Sequence, residues 1–217
     1  MSKTLKVRED NARSYPCPTL IEFLLDETGS MEDVHSDTVA GYNAFLTEQR
    51  NQTGTSCLLT LAKFDTAGIK VPYTDIDVKM APLMTNNMFV PGGGTNLRDC
   101  IGQRVRATEE RLAYWQGQKP NVLFVVMTDG EDNASREYSE AQVRDLIRAH
   151  EADSWTFVYL GSTPNALEIA GRLGFQPGNS KQFDVSRIRE TMTDLGAATT
   201  VYRTTGSTRG FFSATNR

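Results

Sequence analysis

The stretch from Val122 to Thr128 is almost wholly apolar and stops abruptly at Asp129-Gly130. A run of that length and composition fits a central parallel strand covered on both faces. Such a strand needs helices above and below it, so the rest of the chain should alternate short apolar runs with amphipathic stretches. It does, and the expected fold class is α/β: a central, mostly parallel sheet with helices on both faces.

Leu20 to Asp26 reads as the first strand, and the helix after it carries Val34, Tyr42, Phe45 and Leu46 at helical spacing. Cys57 to Phe64 and Ile69 to Tyr73 follow, separated by Asp65-Thr66-Ala67-Gly68. So short a link suits a hairpin, which predicts one antiparallel strand. A Gly- and Pro-rich loop from Thr85 to Thr95 precedes a helix with Leu97, Ile101, Val105, Leu112 and Trp115 on its inner face. A helix near Ser139 to His150, a strand from Trp155 to Leu160, and a helix opening at Pro164 and closing at Gly174 come next. A strand over Gln182 to Val185 and a helix from Ser186 to Arg203, with Ile188, Met192, Leu195 and Tyr202 inward, complete the expected unit. Residues 19–203 thus form one domain, with an N-terminal arm over 1–18 and a flexible C-terminal tail over 204–217.

The balance of 23 Lys+Arg against 27 Asp+Glu leaves a net charge of -4, which disfavours a basic nucleic-acid surface. Cys17, Cys57 and Cys100 are odd in number and show no CxxC or Cys/His spacing, so zinc is not indicated and a reducing compartment suits them. No apolar leader or bilayer-length apolar stretch is present, and the expectation is a cytoplasmic protein, away from the membrane. His35 and His150 are isolated and read as surface or packing residues.

In an open α/β sheet, ligands bind where the chain leaves the carboxyl ends of the strands. Asp26-Glu27-Thr28-Gly29-Ser30 places oxygen-bearing side chains at alternate positions there; Gly92-Gly93-Gly94 leads into Thr95, and Asp129 closes the most apolar strand. Two carboxylates and three hydroxyls suit a hard cation, Mg²⁺ or Mn²⁺. The carboxylates balance a divalent charge formally, while the neutral hydroxyls leave the ion able to accept another anionic oxygen. Each residue also has a plainer reading: Ser30 with Asp33 resembles a capping box, Thr95 could cap a helix, and Asp129-Gly130 is a common turn. The glycines match no phosphate-binding pattern.

Asp26-x-Thr28-x-Ser30, Thr95 after three glycines, and Thr128-Asp129-Gly130 together resemble the metal-ion-dependent adhesion site of von Willebrand factor A domains. The resemblance covers residues 20 to about 203 and extends to stand-alone A-domain proteins of bacteria and bacteriophages. It implies a Rossmann-like fold with one antiparallel edge strand and a metal that completes its shell with an acidic side chain of a partner protein. It also implies metal ligation by Thr28 and Ser30, by Thr95 directly or in one conformation, and by Asp26 and Asp129 directly or through water. Thr28 departs from the commoner serine but keeps the hydroxyl.

Glu27, Glu32, Asp33, Glu131 and Asp132 flank these loops, so an acidic rim is expected, and with it a partner whose acidic residue sits among basic ones. Two other functions compete with a non-enzymatic binding module. A haloacid-dehalogenase-like Mg²⁺-dependent phosphotransferase or hydrolase needs a general acid where Thr28 stands. A structural component of a phage particle or bacterial complex would use the terminal arms.

Overall fold

The computed structural model describes residues 17–206 and 210–212. Six strands form one sheet: β1 (Thr19–Asp26), β2 (Cys57–Asp65), β3 (Gly68–Asp77), β4 (Asn121–Thr128), β5 (Thr156–Gly161) and β6 (Ser180–Gln182). Their order is β3-β2-β1-β4-β5-β6, parallel throughout except for β3, which folds back on β2 at the edge. The antiparallel strand expected from the short Asp65–Gly68 link is therefore present.

Five α-helices cover the sheet: α1 (His35–Asn51), α2 (Leu97–Ala113), α3 (Glu140–Ala152), α4 (Ala166–Leu173) and α5 (Ile188–Thr205). Alternation along β1 sends Ile21, Phe23 and Leu25 into one core with Tyr42 and Phe45 of α1 and Met192 and Leu195 of α5. Leu20 and Leu24 enter the other, with Ile101 of α2, Ile147 of α3 and Ile169 of α4. β4 supplies both cores, which accounts for its unbroken apolar sequence.

Glu22 breaks the apolar pattern of β1. Its carboxylate is wholly buried and accepts hydrogen bonds from Arg104 Nε and an Arg111 terminal nitrogen, both at 2.6 Å, and from Thr108 Oγ1 at 3.3 Å. All three partners lie on α2, so this carboxylate fastens that helix to the centre of the sheet.

Some boundaries differ from those expected. The last strand lies at Ser180–Gln182 rather than Gln182–Val185, and Val185–Arg187 is a 3-10 turn. The strand is polar and at the edge, so it carries no apolar signature, whereas Phe183 just beyond it is buried. Pro164 lies two residues before α4 rather than opening it, and Gly174, left-handed at φ 98°, ends it. Trp115 lies past the end of α2. Ser139 and Gln142 form a reciprocal capping box on α3, a Ser-x-x-Gln signal present in the sequence.

The expected N-terminal arm falls largely on residues 1–16, outside the described residues. In the stretch expected as a tail, α5 runs on to Thr205 and Phe211 is buried against Tyr202, their ring centroids 6.2 Å apart. The Phe211 N–H donates to Asn179 Oδ1 at 3.1 Å, which holds this segment beside the start of β6. At the opposite edge, β3 carries Pro72, the half-exposed Lys70 and two register shifts against β2.

Arg203 of α5 is 2% exposed and reaches the last turn of α1, donating to Gln49 O at 2.7 Å and to Thr55 O at 3.0 Å. A cation at a helix carboxyl end satisfies carbonyls that have no partner within the helix. Arg203→Met keeps the bulk but strands both carbonyls, and is expected to lower unfolding free energy in urea by about 2 kcal/mol. An unchanged urea midpoint would remove that role.

Candidate functional site

The neighbours of β1 in the sheet are β2 on one side and β4 on the other, so the chain order reverses between β1 and β4. Loops leaving two such strands diverge to opposite sides, and the gap between them is where an open sheet receives a ligand. Asp26 ends β1 and Asp129 follows β4 at that gap.

Asp26 is fully buried; its Oδ1 accepts the Thr28 N–H at 2.8 Å and its Oδ2 the Thr128 hydroxyl at 2.5 Å. Thr28 Oγ1 and Ser30 Oγ lie 3.2 Å apart, and Ser30 Oγ donates to Asp129 Oδ1 at 2.7 Å. The first and third loops thus meet through side chains 99 positions apart. Ser30 does not cap a helix: the turn Gly29–Val34 is 3-10, with Thr28 at its N-cap and no side-chain capping bond. Thr95 is 3% exposed, and its hydroxyl stands close enough to Gly130 that a Cβ there would lie 3.0 Å from Oγ1. All five residues singled out in the sequence are therefore at one end of the β1/β4 gap, with Ser30 open to solvent.

Burial raises the Asp26 carboxyl to about 6, against the opposing hydrogen bonds from Thr128 and Thr28, and the charge of Asp129 adds to the rise. The Asp129 carboxyl is also raised, again mainly by burial, with the Ser30 hydroxyl working the other way. A buried carboxylate in the field of a second, part-buried one gains from a positive charge placed between them. Among the described residues no group of three or more His, Cys, Asp or Glu side chains comes together to hold a metal ion, so hydroxyls would have to complete any shell here. Here the donors are two carboxylates and hydroxyls, all oxygen, a set that fits Mg²⁺ or Mn²⁺ and offers nothing soft.

The expected acidic rim is only partly there. Glu27 points away from the site and is 1% exposed, accepting from Lys63 Nζ, from Lys70 Nζ at 2.9 Å and from the Val90 N–H at 2.8 Å. Asp132 accepts the Arg98 N–H at 2.8 Å and pairs with its guanidinium at 3.1 Å. Glu27 turns toward Lys63 and Val90 while its neighbours Asp26 and Thr28 turn toward Thr128 and Ser30, and Asp132 is used up at the start of α2. Glu32, Asp33 and Glu131 remain exposed.

Several residues that support the site were not singled out in the sequence. Thr128 holds Asp26, and Asn133 Oδ1 accepts the Thr95 N–H at 2.8 Å. Asp99 accepts three backbone N–H groups, from Arg136, Glu137 and Tyr138, at 2.7–2.9 Å, and Ser135 Oγ accepts the Asp99 N–H at 3.0 Å. The segment after β4 is thereby stitched to the start of α2, which brings Asp129 and Thr95 into one unit. The Thr-Asp-Gly triplet could have pointed to Thr128; nothing local marks Asn133 or Asp99.

No family model matches this chain, and no curated protein matches it. Among solved structures, proximal thread matrix protein 1 from the mussel byssus is similar at 13% identity and a TM-score of 0.59, over 82% of this chain and 46% of that one. One of its structures is described as having a zinc-occupied MIDAS motif. A von Willebrand factor type A protein from Catenulispora acidiphila is similar at 15% identity and a TM-score of 0.58, over 85% of this chain and 43% of that one. The vWF domain of the type V pili tip protein Mfa5 from Porphyromonas gingivalis is similar at 8% identity and a TM-score of 0.62, over 86% and 96%. The chain spans less than half of the mussel and Catenulispora chains. These likenesses show the fold, which is that of von Willebrand factor A domains.

Proposed function

We propose that this chain is a non-enzymatic protein-binding module that grips a carboxylate of its partner through a divalent cation, Mg²⁺ or Mn²⁺. Asp26, Thr28, Ser30, Thr95 and Asp129 would hold the cation, and its chemistry there is to offer a positive charge with room for one outside oxygen. The observation that carries this reading is the Ser30–Asp129 hydrogen bond of 2.7 Å, which joins two separate loops at the sheet's reversal point through oxygen atoms alone. The raised carboxyls of Asp26 and Asp129 support it, since both are relieved by a cation. The fold adds support through neighbours described as pilus and thread proteins, one of them with an occupied adhesion motif.

The chain's own residues prepare the grip. Thr128 and the Thr28 N–H fix the Asp26 carboxylate, Asn133 fixes Thr95, and Ser30 holds Asp129. With Glu27 and Asp132 neutralised by their own partners, the negative charge left around the site is that of Glu32, Asp33 and Glu131. A partner carboxylate with basic neighbours suits that surround better than an isolated one.

Mn²⁺ titration followed by electron paramagnetic resonance should show one site per chain, released by EDTA. Capture of a partner from host extract should need Mg²⁺ and be lost in Asp129→Ala with the circular dichroism unchanged. Binding that persists in excess EDTA would refute the proposal.

A further inference from the structure

Glu27 lies between two of the proposed ligands and touches neither the site nor solvent. Its contacts run instead to the segment that leads into Thr95. The carboxylate accepts the Val90 N–H at 2.8 Å, and Lys63 Nζ, paired with that carboxylate, also donates to Met88 O. The backbone repeats the connection: the Gly92 N–H donates to Glu27 O at 2.9 Å and the Gly29 N–H to Gly93 O at 3.2 Å. His35 Nε2 lies 2.7 Å from Phe89 O, and Phe89 itself is buried. The stretch 88–93 has no regular secondary structure beyond Met88, so these bonds set its place beside the first loop.

The packing leaves little slack. Gly93 sits at φ 68° with Thr66 so close that a Cβ would meet its hydroxyl at 2.3 Å. From Val90 the same loop runs on to Thr95 with the Gly94 N–H donating to Thr66 Oγ1 at 3.3 Å and the Thr95 N–H to Asn133 Oδ1 at 2.8 Å. A buried carboxylate is costly unless paired, and this one has Lys63 and Lys70 committed to it. Simple stability would be served as well by replacing Glu27 and Lys63 together with apolar side chains of similar volume.

We infer that Glu27 and Lys63 form a latch that positions Thr95 for the cation, making them positioning residues of the site. The inference rests on the metal-binding reading above. Residues that orient ligands without touching the ion change metal affinity by about 10–100-fold when removed. Glu27→Gln and Lys63→Met should therefore each weaken Mn²⁺ binding by about tenfold.

The deciding measurement is a double-mutant cycle read by Mn²⁺ affinity in the full chain, with folding checked by circular dichroism. If the latch acts through Thr95, Glu27→Gln costs about tenfold in the original chain and almost nothing in a Thr95→Ala background. Equal losses in both backgrounds overturn the latch while leaving the metal site intact. Failure of the unaltered chain to bind Mn²⁺ removes the metal reading and the latch together. Lys63→Met, which keeps the stem and removes the charge, should repeat the pattern; full Mn²⁺ affinity in both latch variants also overturns it.

Discussion

Asp26→Asn is expected to make the chain more stable in EDTA at pH 7, by about 1–3 kcal/mol, while weakening Mn²⁺ binding at least ~100-fold. The two effects share one cause. Burial holds the Asp26 carboxyl at about 6, above the ~3.9 of an unfolded aspartate, so the folded chain holds a proton that the unfolded chain has released. The stability tied to that proton is complete below about pH 4 and is lost as pH rises through about 6; each unit between is about 1.4 kcal/mol, a ceiling near 3 kcal/mol. Asparagine fits the same bonds, its oxygen keeping the Thr28 N–H and its amide donating to Thr128 Oγ1. That hydroxyl can then turn to Gly130 O at 3.2 Å. Urea unfolding from pH 4 to 8 checks this: the two chains should diverge in EDTA across that window, and saturating Mg²⁺ should reverse their order. A variant less stable than the original in EDTA at pH 7 would contradict the account.

Glu22→Ala should be the most damaging single change to the scaffold, costing about 3–5 kcal/mol. Domains of ordinary size hold only about 5–15 kcal/mol in total, so the loss is a large share. Arg104, with its side chain 11% exposed, would keep its charge and lose its carboxylate, whereas Arg111 retains Asp75 at 3.1 Å. The penalty comes from the stranded guanidinium rather than from the missing bond. Glu22→Leu combined with Arg104→Met should therefore recover most of the loss. Equal destabilisation in the single and double variants, by urea unfolding, would point to a packing defect instead.

Much of the architecture was legible because parallel strands covered on both faces must be apolar, and β1, β2, β4 and β5 are. β6 was displaced because Ser180, Lys181 and Gln182 pair at the edge with only one neighbour and face partly outward, while Phe183 drew the expectation onward. At the site, Asp26, Thr28, Ser30, Thr95 and Asp129 could be singled out because each lies at the end of a strand or in a loop at the head of the sheet. What sequence could not reveal was which carboxylates had already found cations. Glu27, Asp132 and Glu131 look alike in a string of letters, yet only Glu131 stays at the surface, held at 2.7 Å by Asn165. That distinction depends on Lys63 and Arg98 arriving from other elements, which is a property of the packed molecule.

The edges of the sheet bear on how this chain can join others. A long bare border invites another chain to add a strand, and with it runaway association. Here β3 carries Pro72, which has no N–H to donate, and a shifted register, and the three-residue β6 has Phe211 pinned at its start. With both flanks blunted, neither border of the sheet offers a long, regular template on which a second chain could add a strand and grow sideways into a ribbon.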